Sequence, residues 1–207
     1  MKVLLINGSP HPEGNTAFAL KQMTEVFGEY GVECEILQVG SQAIRGCTGC
    51  GACYKTRKCV FEDLVNETAS RLDEFDGIVV GSPVYYGGPN GRLTSFLDRL
   101  CFSVPGEKLN GKLAASIVSC RRGGASAAFE RLNQYFLMTN MHVVASQYWN
   151  QIHGNTRQEA LQDAEGLQTM RILVENMRYV LQCLCAGKEK GVAPLSCEPR
   201  TATNFIR

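Results

Sequence analysis

Four cysteines, Cys47, Cys50, Cys53 and Cys59, fall within thirteen positions of a chain of 207 residues. Three of them sit at x2 spacing, the pitch at which a short segment wraps its thiolates around a four-iron four-sulfur (4Fe-4S) cube. Thr48, Gly49, Gly51 and Ala52 between them are small, so the chain can curl around a cluster without steric conflict. Zinc is the rival, because a tetrahedral structural site also takes four thiolates, although zinc sites more often pair two separated Cys-x2-Cys units. Lys55, Arg57 and Lys58 either soften the negative charge of such a centre or stand as plain solvated charges. The chain has ten cysteines, and the other six read as small buried hydrophobes or incidental thiols.

Three further segments carry residues suited to a phosphate and a flat ring. Gly8-Ser9-Pro10-His11-Pro12-Glu13-Gly14-Asn15-Thr16 opens directly into a helical stretch, where free N–H groups and the helix dipole favour an anion. Ser9, Asn15 and Thr16 add side-chain hydrogen bonds, and Gly14 lets the backbone approach closely. The plainer alternative is a helix start capped by Asn15 or Thr16. The loop is neither a dinucleotide G-x-G-x-x-G nor a nucleoside-triphosphate loop, so a single terminal phosphate suits it better. In Gly81-Ser82-Pro83-Val84-Tyr85-Tyr86-Gly87-Gly88-Pro89 a proline-fixed turn presents two consecutive aromatics. Backbone groups there can bond the polar edge of a ring while side chains cover its face, unless the tyrosines merely plug the loop onto the sheet. Ser119-Cys120-Arg121-Arg122-Gly123-Gly124 is the third such turn, with two guanidinium groups placed beside an electron-accepting ring or an incoming nucleotide phosphate, or simply solvated. Flavin mononucleotide (FMN) is the ligand that fits all three loops at once.

The loops need a frame that brings them together. Short apolar runs predict buried strands over 3–6 and 77–81, an edge strand over 32–39, and further strands over 112–119 and 141–148. Between them lie helical patterns over 16–30, 62–75, 90–102 and 125–139, and a long final helix over 157–185. Strict alternation of this kind predicts an α/β fold: a flavodoxin-like, doubly wound, five-stranded parallel sheet in three layers, with ligands at the carboxyl ends of its strands. One domain over 1–186, with a cysteine-rich loop over 46–60, is followed by a tail over 187–207 that is either disordered or laid along a neighbour. Lysine and arginine (21) nearly balance aspartate and glutamate (20), for a net charge of +1, which argues against nucleic acid or an anionic membrane as partner. With no secretory or membrane-spanning segment apparent, a soluble cytoplasmic protein is expected. Apolar positions on the final helix point to a homodimer or homotetramer.

The stretch from Gly8-Ser9-Pro10 to Asn15-Thr16, with Gly81-Ser82-Pro83-Val84-Tyr85-Tyr86-Gly87 and Phe96-Leu97-Asp98-Arg99, resembles the NADPH-dependent FMN reductase and iron-sulfur flavoprotein group over roughly the first 150 residues. The resemblance implies FMN phosphate contacts from Ser9, Asn15 and Thr16, ring contacts from Pro83, Val84, Tyr85, Tyr86 and Gly87, and cluster ligation by Cys47, Cys50, Cys53 and Cys59. His11 stands where an arginine is frequent in that group. Gly14, Ser119, Arg121, Gly123 and Gly124 complete the expected cofactor set. The function expected is an FMN-dependent oxidoreductase that takes a hydride from NAD(P)H, or electrons from a ferredoxin-like protein, and passes them to a small-molecule or protein acceptor. The flavin would do the chemistry, so no side chain is assigned as acid or base. Two alternatives stand beside it: a flavodoxin-type electron carrier, disfavoured by the near-neutral charge, and a flavin module with zinc in the cysteine loop.

Overall fold

The computed structural model describes residues 1–199, 201–203 and 205. Its central sheet runs in the order β2-β1-β3-β5-β6, and all of those neighbours pair in parallel. The apolar runs become β1 (Lys2–Asn7), β3 (Gly77–Tyr85) and β5 (Leu113–Cys120), the middle of the sheet. Helices cover both of their faces, so they tolerate apolar residues at consecutive positions. β2 (Glu33–Gln38) lies at the edge, and none of its residues is buried, so the expected alternation of a covered and an open face is absent.

Leu4, Ile6, Ile78, Val80 and Val118 face a core built with α3 (Leu64–Arg71), α4 (Gly91–Ser103) and α5 (Ala125–Met138). Val3, Leu5, Val79, Ala115 and Ile117 face the opposite core, under α1 (Asn15–Glu29) and the terminal helix. Phe27, Met23 and Leu20 of α1 are fully buried there, and each such side chain contributes about 1.5–3 kcal/mol through removal from water.

Several elements differ from the sequence expectation. The segment over 82–89 is not all loop: β3 continues through Tyr85 and turns into an antiparallel β4 (Gly88–Pro89), so Tyr85-Tyr86-Gly87-Gly88 closes a two-residue hairpin. Positive φ at both Tyr86 (50°) and Gly87 (78°) marks the turn type whose twist matches the strands. The strand over 141–148 is instead two short pieces, β6 (His142–Val143) on the lower part of β5 and β7 (Gln151–His153) on its carboxyl end. Between them the chain leaves the sheet, turned by Ser146, whose Oγ donates to the Tyr148 carbonyl at 2.7 Å, and it returns where buried Asn150 donates to the Ser116 carbonyl at 3.0 Å. A short α2 (Cys53–Thr56) was not expected.

The final helix is also broken. α6 (Arg157–Gln162) stops at Asp163, which caps α7 (Ala164–Glu189) through the Gly166 amide and also accepts the His153 amide at 2.6 Å. α7 therefore runs past the expected domain boundary at 186. Of the tail, Cys197 accepts a hydrogen bond from Asn140 at 3.2 Å, which lays it on its own domain; Arg200, Asn204, Ile206 and Arg207 lie outside the described residues. Among the described residues no helix is long and apolar enough to cross a membrane.

Candidate cofactor and cysteine sites

Parallel register places the carboxyl ends of β1, β3 and β5 side by side: Asn7 is opposite Gly81, and Pro83 is opposite Ser119. The loop after β1 is built on Asn7, a buried polar residue at the end of an apolar strand. Its Oδ1 accepts the Ser9 amide at 3.0 Å, and its Nδ2 donates to Gln38, which in turn donates to the Ser9 carbonyl at 2.7 Å. Asn7 and Gln38 are thus supports that sequence reasoning passed over; the signal available was an asparagine closing an otherwise apolar strand.

Gly14, not Asn15 or Thr16, is the N-cap of α1, and no side chain caps it. Asn15 instead donates to the Gly154 carbonyl at 2.7 Å, and the Thr16 hydroxyl meets that of Ser119 at 2.7 Å. The leading amides of α1 have no side-chain acceptor, and its first turn carries no acid, which is the electrostatic condition for an anion there. Ser9 is buried and its Oγ accepts the His11 amide at 3.1 Å, while the His11 side chain stands exposed.

The other two loops close on each other. Gly124 caps α5 at φ +86°, and a Cβ there would stand 2.9 Å from Val84 Cγ1 and 3.0 Å from Gly87 Cα. Only glycine permits both the left-handed backbone and that approach. Tyr85 is partly exposed and Tyr86 fully exposed, so the pair does not plug the hairpin onto the sheet. Arg121, Arg122 and Gly123 are exposed on the adjoining turn. The structure therefore brings Ser9, Gly14, Asn15, Thr16, Pro83, Val84, Gly87, Ser119 and Gly124 to one sheet end, with His11, Tyr85, Tyr86, Arg121 and Gly123 on its solvent side.

Cys47, Cys50, Cys53 and Cys59 all line one pocket of about 130 Å³, together with Tyr54, Phe61, Arg99 and Phe102. Gly49 (φ +68°) and Gly51 (φ +71°) give the loop its curl between the thiols. Among the described residues no group of three or more His, Cys, Asp or Glu side chains gathers as a single metal ion requires. The four thiols line this cavity from one stretch of chain. Asn66 pins the last of them, accepting the Cys59 amide at 3.0 Å and donating to the carbonyls of Cys59 and Phe61 at 2.9 and 3.0 Å.

Arg99, reaching down from α4, is the other residue that sequence reasoning left without a role. Its side chain is 1% exposed. It donates through Nε to Cys59 Sγ at 3.2 Å and through both terminal nitrogens to Asp63 at 2.7 and 2.9 Å. Three cysteines elsewhere behave as packing residues: burial pushes the Cys34 and Cys101 thiols up to about 12 and raises that of Cys120, which keeps them protonated at neutral pH; Cys183, Cys185 and Cys197 are exposed.

Comparison with known proteins shows the family and the fold. The sequence model of the NADPH-dependent FMN reductase family matches residues 1–156. An iron-sulfur flavoprotein of Methanocaldococcus jannaschii is 31% identical over 191 residues, spanning 89% of this chain and 99% of the relative. One from Methanosarcina thermophila is 27% identical, spanning 92% and 100%. Among solved structures, RosB with a bound 8-demethyl-8-formylriboflavin-5'-phosphate superimposes with a TM-score of 0.68 at 15% identity, covering 100% of this chain and 94% of its own. A WrbA-like flavodoxin from Agrobacterium tumefaciens follows at 0.61 and 15%, covering 88% and 98%. The fold is flavodoxin-like, and the chain belongs to the NADPH-dependent FMN reductase family, in its iron-sulfur flavoprotein group.

Proposed function

We propose that the chain is an FMN-dependent oxidoreductase, fed by NAD(P)H or a ferredoxin-like donor, with a 4Fe-4S cluster in its cysteine pocket, acting as a homodimer or homotetramer on a small-molecule or protein acceptor. The observation that carries the reading is the convergence of three loops at the ends of β1, β3 and β5, beside a helix start that no side chain caps among the described residues. In this reading the leading amides of α1, with the hydroxyls of Ser9 and Thr16, hold the phosphate. The hairpin Pro83–Gly87 and the turn of Ser119, Arg121, Gly123 and Gly124 wall the ring. Cys47, Cys50, Cys53 and Cys59 hold the cluster; three thiols at x2 spacing that line one pocket support a 4Fe-4S centre over zinc, whose sites more often pair two separated Cys-x2-Cys units. When bound, the flavin takes up and releases one or two electrons and the cluster one at a time. The chain's own part is to bind, orient and shield, and no side chain is required to move a proton.

The test is an anaerobic absorption spectrum of freshly isolated protein, with iron and sulfide analysis, before and after NADPH. Flavin bands over a broad shoulder are expected, the shoulder disappearing in a Cys47→Ser/Cys50→Ser variant. Bleaching by NADPH separates a reductase from a flavodoxin-type carrier. Absence of flavin would overturn the proposal.

A further inference from the structure

Arg99 has more bonding than an anchor needs. All of its donors are engaged: Nε on Cys59 Sγ, two terminal N–H groups on the Asp63 carboxylate, and two more on the carbonyls of Arg45 and Phe61, both at 3.3 Å. Its guanidinium lies 5.0 Å from the centre of the Phe61 ring. Every one of these partners belongs to the cysteine segment or to the cap of the helix that follows it, since Asp63 also caps α3 through the Val65 amide. A fully buried guanidinium is costly unless paired. Here its pairing is divided between one carboxylate and one thiol that faces the pocket.

The four cysteines are correspondingly unequal. Cys47 and Cys50 are exposed and Cys53 and Cys59 half-buried, and Cys59 is held twice, at its backbone by Asn66 and at its sulfur by Arg99. The basic residues that the sequence draws attention to, Lys55, Arg57 and Lys58, are exposed, with Lys58 paired to Glu62, and the high dielectric of water weakens the pull of an exposed charge. The cation that acts on the pocket at short range is Arg99.

We infer that Arg99 is the positioning residue of the cysteine centre: it fixes Cys59 as a thiolate ligand and offsets the charge of the centre, holding its reduction potential up. The inference rests on the proposed cluster. A hydrogen bond and a positive charge at a ligand sulfur favour the form that carries one electron more, so removing them lowers the potential. Asp63 has the opposite sign and lies against the same guanidinium, so neutralising it leaves the cation less compensated.

The experiment uses the full chain, reconstituted anaerobically with iron and sulfide. It compares wild type with Arg99→Gln, Arg99→Lys and Asp63→Asn by iron content, midpoint potential and thermal melting. The expected result is a lower potential in Arg99→Gln, partial restoration in Arg99→Lys, which keeps the charge and loses the fork, and a higher potential in Asp63→Asn. Should Arg99→Gln fail to fold, the opposite shifts of Arg99→Lys and Asp63→Asn still decide. Unchanged potentials, or shifts of one sign accompanied only by lower melting points, would mark Arg99 as scaffolding and overturn the inference while leaving the cluster in place. Wild type that takes up no iron would overturn the cluster reading and this inference with it.

Discussion

Tyr86 is held at φ 50° at the tip of the β3–β4 hairpin, with its ring wholly in solvent. A left-handed non-glycine residue costs about 1–2 kcal/mol, and nothing on the chain packs against the ring to offset it. Glycine would relieve that strain but adds about 0.5–1 kcal/mol of unfolded-state entropy. Tyr86→Gly should therefore stabilise the flavin-free protein modestly, by roughly 0.5–1 kcal/mol, in urea unfolding. If the ring walls the cofactor, the same change weakens FMN binding about two- to twelvefold, the equivalent of one aromatic contact of about 0.5–1.5 kcal/mol, while Tyr86→Phe binds like wild type. Equal FMN affinity in a fluorescence titration of Tyr86→Gly would remove the hairpin tip from the site. The residues legible in the sequence were those whose chemistry lies in type and short spacing, such as the thiols and the hydroxyl and glycine loops. Arg99 was not, because its partner Cys59 is 40 positions away and only the packing of α4 against the cysteine loop joins them.

At the level of elements, β1, β3 and β5 could be read because doubly covered strands are apolar throughout. The hairpin was hidden because Tyr85-Tyr86-Gly87-Gly88 carries only half of the usual turn signal, with tyrosine where asparagine or glycine is the rule. The split of the fifth strand depends on Asn150 finding the Ser116 carbonyl across the sheet, a contact without a local pattern. That split also leaves an edge. β6 is two residues long, and its exposed Val143 shares an apolar groove of about 550 Å³ with Tyr179 and Leu184 of α7. Two residues are too short an edge to template pairing, but apolar surface gathered in one exposed groove favours association. Sedimentation velocity should show an assembly larger than the 22.7 kDa chain, and Val143→Lys with Tyr179→Glu should reduce it to that mass. A wild type sedimenting as a single chain would end the homo-oligomer proposal.

Across the whole molecule, the proposed flavin site joins three loops carried on neighbouring strands of the sheet. The first loop belongs to β1 and α1, the hairpin to β3 and α4, and the glycine turn to β5 and α5, so one occupant would tie together the three central strands. A ligand that binds only the folded state stabilises by about 2.7 kcal/mol at one hundred times its dissociation constant. For a domain of this size each kcal/mol raises the melting temperature by about 2–4 °C, so FMN should lift it by about 5–11 °C. Riboflavin discriminates among the loops, because it keeps the ring and lacks the phosphate. Held at the same concentration as FMN, it should give a markedly smaller rise, since it leaves the uncapped start of α1 without its anion. Equal shifts from the two would mean that the β1–α1 loop holds no phosphate, and that the glycine, serine and threonine at its turn serve only to pack α1 against the ends of β3 and β5.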